Sequence, residues 1–166
     1  MHGVAASASP VVAPGSPASD PPSNRLRPHI MAMGGVSGLT GDGLHPFGGL
    51  ELGLRRGRWG GVALGQYGYG NDFESVLVAA GPLVKVATVD RIDIFVHGGA
   101  AYYSERLDAG FDRDVIGGYG ALSLRVKLPV GALGATLSIW TGRLDGQGVT
   151  QPAMVTGHRV SVGIGL

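Results

Sequence analysis

One-for-one alternation of apolar residues with small or charged ones restricts this chain more than any other feature. Val160, Val162, Ile164 and Leu166 alternate with Arg159, Ser161, Gly163 and Gly165, the period-two signature of a strand with one apolar face. A last strand of this kind needs a neighbour on either side. If one of those neighbours is the first strand, the sheet closes on itself and has no free edge.

The pattern recurs from His29 onward as eight runs, at 29–39, 47–56, 60–69, 75–87, 91–103, 116–128, 132–142 and 157–166. Each has roughly ten residues, the length a tilted strand needs to cross a bilayer. The expected fold is therefore all-β, an eight-stranded antiparallel up-and-down transmembrane barrel over 29–166. In the second run Leu50, Leu52 and Leu54 oppose Gly49, Glu51, Gly53 and Arg55. Placing Leu54 opposite Val62 and Leu52 opposite Leu64 keeps the apolar faces together and sets Glu51 beside Gly65. In the fourth and fifth runs a hairpin folded about Val89 pairs Val86 with Ile92, Val84 with Ile94 and Lys85 with Asp93. Pro82 cannot donate a ladder bond, so a bulge or a missing bond is expected there. The connections alternate between short (57–59, 88–90, 129–131) and longer (40–46, 70–74, 104–115, 143–156), as in bacterial outer-membrane barrels with both termini on the short side.

Composition agrees. Glycine is 31 of 166 residues, an excess that disfavours long helices. No apolar run reaches the roughly 18 residues of a membrane helix, so any crossing is by strands. The net charge of +1 and the absence of a basic cluster interleaved with aromatics exclude a nucleic-acid partner. There is no cysteine, which excludes disulfides and thiolate metal sites. Residues 1–28 are rich in Pro, Ala and Ser without alternation and read as a disordered leader or tether.

Alternation alone does not say which face is enclosed. The polar face carries few charges, namely Glu51, Arg55, Lys85, Asp93, Arg125, Lys127 and Arg159, with His97 among them. That is sparse for a water-facing surface and apt for a narrow interior, where opposite charges pair and glycine makes room. Lys85 is expected on Asp93, and Glu51 on Arg125 or Arg159. Five cations against two carboxylates leave a surplus to be met by water, loop carboxylates or an anion. Phe47, Tyr67, Tyr69, Tyr102, Tyr103, Tyr119 and Trp140 fall at strand ends beside the longer connections, where an interfacial girdle sits. Trp59 marks the opposite rim.

On these strands and connections the chain resembles the small eight-stranded outer-membrane β-barrel proteins, the group of the OmpA transmembrane domain and the OmpX-like proteins. The resemblance covers His29 to Leu166 and includes no diagnostic motif. It implies a structural, anchoring or adhesive protein of the bacterial outer membrane, with lipid, lipopolysaccharide or an envelope protein as partner. Two other classes share the pattern. Some barrels of this size modify lipid A through His, Ser and an acidic residue near the outer rim, and His45, Asp72, Ser75, Ser104 and Glu105 are the residues that could converge there. A soluble lipocalin-like ligand-binding barrel has the same period with the faces reversed. Glu105, Asp108, Asp112 and Asp114 could gather around Ca²⁺, but they lack the spacing of a calcium loop. No cofactor or metal is expected.

Overall fold

The computed structural model describes residues 25–40, 43–70, 73–107, 112–146 and 153–166. The leader assigned to 1–28 therefore lies outside the described residues except at its end, where Leu26, Arg27 and Pro28 belong to the first strand. The strands are β1 (Leu26–Leu39), β2 (His45–Arg56), β3 (Trp59–Tyr69), β4 (Phe73–Val89), β5 (Ile92–Leu107), β6 (Asp112–Lys127), β7 (Ala132–Gly146) and β8 (Ala153–Gly165). Each pairs antiparallel with its sequence neighbours. β1 also pairs with β8, Met31 opposite Gly165 and Val36 opposite Val160, so the sheet is a closed barrel.

The two faces differ sharply. Leu50, Leu52 and Leu54 on β2, Val160, Val162 and Ile164 on β8, and Leu133, Leu137 and Ile139 on β7 all point outward and are exposed. Glu51, Lys85, Asp93, Arg125 and Arg159 point inward and are buried. This is the reverse of a soluble barrel with an oily interior. The interior is nonetheless not wholly polar. Met31, Met33, Phe47, Leu64, Leu77, Tyr103 and Trp140 form one buried cluster, and Val62, Leu83 and Phe95 a second. Eight strands enclose a space just wide enough for side chains to fill, and filling it needs bulk.

β3 departs from the sequence expectation. Leu54 pairs with Gly61 and Leu52 with Ala63, while Val62 and Leu64 face Gly53 and Glu51 and are buried inside. The reason is the turn. Arg56 pairs with Trp59, leaving only Gly57 and Arg58 between the strands, with Gly57 at φ 62°. A two-residue turn with positive φ at its first position matches the twist of the flanking strands, and it shifts the register by one, which turns every β3 side chain to the other face.

The β4–β5 hairpin also differs in register. Val89 pairs with Ile92 and Thr88 with Asp93 across the Asp90–Arg91 turn, and Lys85 lies opposite Phe95. The register shifts between Lys85 and Ala87, so Val86 is the extra residue of a bulge. The bulge keeps Lys85 pointing inward. At Pro82 the pairing with β5 lapses between Ala80↔Ala100 and Leu83↔His97, in the same register on both sides. This is the missing-bond alternative, in the middle of the strand.

The longer connections are shorter than the alternation suggests. β5 and β6 continue pairing through Ser104↔Asp114 and Arg106↔Asp112, although apolar periodicity has ended there. Polar cross-strand contacts carry the hairpin on. Glu105 lies 3.8 Å from Arg113, and the Tyr102 hydroxyl donates to Asp114 Oδ1 at 2.9 Å.

Candidate functional site

Since alternation sends one side chain in two inward, each strand delivers its charges into the barrel, and the closing register decides which ones meet. Glu51, fully buried, receives Arg125 Nη2 at 2.5 Å and lies 3.1 Å from His29 Nε2. β2 and β6 are on opposite sides of the ring, so the Glu51–Arg125 pair crosses the lumen. The Arg125 guanidinium also lies over the Phe95 ring at 4.5 Å, with Arg55 at 5.7 Å. Arg55 in turn donates to Gly57 O. Cations placed over a desolvated ring gain from its quadrupole.

Near the short turns, Asp93 Oδ1 accepts from Thr88 Oγ1 at 2.6 Å and lies 3.8 Å from Lys85 Nζ, and Asp93 Oδ2 lies 3.1 Å from Lys127 Nζ. One carboxylate thus serves two ammonium groups. Further along, Arg159 is fully buried, donating to Ser138 Oγ at 2.9 Å and Gln66 Oε1 at 3.4 Å against the Phe47 ring. Gln66 Nε2 donates to Ser37 Oγ at 3.0 Å. His97 bonds Ser123 through Nε2 at 3.0 Å and the Tyr119 hydroxyl through Nδ1 at 3.4 Å, and Ser123 continues to Thr136 at 2.8 Å.

Apart from Lys127, which is exposed at the short-turn rim with its ammonium on Asp93, the polar residues named from sequence point into the barrel, but they form separate groups. Glu51, Arg125 and Arg55 gather around Phe95, Lys85 and Lys127 around Asp93, while Arg159 and His97 have neutral hydrogen-bond partners. His29, Ser37, Gln66, Thr88, Ser123, Thr136 and Ser138 complete these groups and were not legible as site residues. His29 lies in the run with least contrast between its faces, and a hydroxyl in a strand carries no period of its own.

The aromatic residues divide. Tyr67, Tyr69 and Tyr102 face outward, as does Trp59 at the other rim with 69% of its surface exposed. Phe47, Tyr103, Tyr119 and Trp140 are buried inside, Tyr103 stacked on Trp140 at 4.5 Å. Strand-end position therefore corresponds to two environments, and the parity of each residue in its strand selects between them.

Of the residues considered for rim chemistry, Ser75 and Glu105 are cross-strand partners on β4 and β5 and are both buried. His45 is on β2 opposite Ser37, and Ser104 is on β5 opposite Val76. Asp72 and Asp108 lie outside the described residues. Glu105 points inward while Asp114 bonds the outward Tyr102. Among the described residues no three His, Asp or Glu side chains converge as metal ligands do.

No protein-family model and no curated protein sequence matches the chain. Solved structures similar to it include the following two. Neisserial surface protein A (NspA) superposes with a TM-score of 0.65 at 13% identity, over 85% of this chain and 96% of that one. Ail, the attachment invasion locus protein of Yersinia pestis, superposes with a TM-score of 0.51 at 15% identity, over 87% of this chain and 99% of that one. With its closed ring, outward apolar face and filled interior, the chain has the fold of the small eight-stranded outer-membrane β-barrels.

Proposed function

We propose that the chain is a bacterial outer-membrane barrel that acts as an anchor and presents its longer connections outward for adhesion or partner binding. The observation that carries this reading is the outward face of exposed Leu, Val and Ile on seven of the eight strands, with Ala63 and Tyr67 on β3, around a packed, charged interior. An apolar surface of that extent is stable only against lipid or another apolar surface. Outward Tyr67, Tyr69 and Tyr102 at one end and Trp59 at the other bound the ring, as interfacial aromatics do. Membrane lipid is then the immediate neighbour, with lipopolysaccharide at the long-connection rim. That the two similar structures are of a surface protein and an attachment invasion locus protein supports a role in surface contact. The salt links across the lumen suit an anchor better than a conduit.

The test has two stages. In an isolated outer-membrane fraction, unboiled protein should migrate faster than boiled protein on a denaturing gel, the mark of a detergent-resistant barrel. Recovery in the aqueous phase without detergent sinks the membrane assignment. Replacing 108–111 and 147–152 by tight turns should then abolish attachment of expressing cells to their surface or partner while gel mobility stays intact. Unchanged attachment sinks the adhesive role.

A further inference from the structure

Charge is divided unevenly between the two ends of the barrel. At the short-turn end Arg25, Arg27, Arg56, Arg58, Arg91 and Lys127 are exposed, and Arg55 and Lys85 stand just inside. Among the described residues this end has two carboxylates to set against them, Asp90 in the β4–β5 turn and Asp93. Asp93 is buried and already shared by Lys85, Lys127 and Thr88. At the other end Arg106, Arg113 and Arg143 are matched by Glu74, Glu105 and Asp114. Among the described residues the surplus thus lies at the short-turn rim.

That rim also has a cleft. Arg91, Lys127, Leu128 and Pro129 line an open depression of about 280 Å³. Arg91 O accepts the Lys127 amide at 2.8 Å, so the two cationic side chains spring from adjoining backbone. No carboxylate lines the cleft; its walls are two cations and two apolar residues. Exposed Trp59 directly follows Arg58, adding an amphipathic ring to the cationic border. Cations for phosphate, apolar side chains for glycerol and upper acyl carbons, and an interfacial indole together form a surface complementary to an anionic phospholipid.

We propose that the short-turn rim recognises anionic phospholipid headgroups, with the phosphodiester seated between Arg91 and Lys127 and the remaining cations meeting the surrounding headgroup layer. The proposal rests on the membrane reading above and adds the leaflet chemistry at one rim. Basic residues at a membrane surface each favour anionic lipid by a few-fold, and the effect falls off within a Debye length.

Trp59 supplies the readout, because Trp140 is enclosed in the barrel. The full chain is refolded into vesicles of phosphatidylcholine with a minority of phosphatidylglycerol, bromine being carried near the headgroup by one lipid class at a time. At equal label, brominated phosphatidylglycerol should quench Trp59 about twofold more than brominated phosphatidylcholine. High salt should remove the excess, as should the combined variant Arg56→Gln, Arg58→Gln, Arg91→Gln, Lys127→Gln, whose heat-modifiable mobility reports an intact barrel. Arg106→Gln with Arg143→Gln at the other rim should leave it unchanged. Equal quenching by both lipids in a heat-modifiable barrel overturns the proposal and leaves the membrane reading standing. Quenching by neither lipid, with no heat-modifiable form, overturns both. Retention on purified acidic cell-wall glycan without lipid preference overturns the proposal and gives the rim to that polymer.

Discussion

Glu51 shows at the scale of one residue how this barrel holds its interior. It is fully buried, yet it has Arg125 and His29 on the same oxygen, so its charge is balanced from across the lumen. Removing one partner of a buried pair strands the other, at a cost of about 3–5 kcal/mol. Glu51→Ala and Arg125→Ala should each lower the unfolding free energy in vesicles by that amount, and the double variant by clearly less than the sum. Strict additivity in urea titrations would mean the two groups do not interact. Gly157 poses the opposite problem, since a Cβ there would run into the Trp140 indole. Gly157→Ala should therefore cost about 1–3 kcal/mol as overpacking, and an unchanged denaturation midpoint would contradict that contact. The inward direction of Glu51 is legible from Leu50 and Leu52 on either side of it. Its choice of Arg125 is not, because that depends on how β2 and β6 are staggered around the ring.

At the scale of the element, the β2–β3 hairpin carries the clearest test. Val62 and Leu64 are apolar, alternate with Ala63 and Gly65, and read from sequence as the outward face; the two-residue turn at Gly57–Arg58 sends them inward. The chain has no cysteine, so single substitutions can be read without background. Ala63→Cys should react with a membrane-partitioning maleimide in the folded protein, whereas Val62→Cys and Leu64→Cys should stay protected. The reverse pattern would restore the face that hydrophobicity suggests. β5 and β6 illustrate the complementary limit, since their pairing outlasts the apolar pattern by several residues, carried by Glu105–Arg113 and Tyr102–Asp114. Strand existence follows from local alternation, but a strand's end follows from whatever its neighbour can still bond.

At the scale of the whole molecule, closure is the property on which the rest depends. β8 supplies the ladder to both β7 and β1, so removing 157–166 exposes two edges at once. Such a truncation should aggregate on refolding and show no heat-modifiable form; a heat-modifiable truncated protein would mean that the ring is not what stabilises the fold. By itself the sequence determined the number of strands, their antiparallel order, and for all but β1 and β3 the face each turns outward, because period-two alternation is local and survives any arrangement of neighbours. The tertiary structure alone decided that β3 turns its larger side chains inward, that four of the seven rim aromatics are enclosed, and that Glu51 meets Arg125 while Arg159 settles among neutral groups. These outcomes depend on turn length, bulge position and the volume left inside a ring of eight strands, which are set only when distant parts of the chain close on one another.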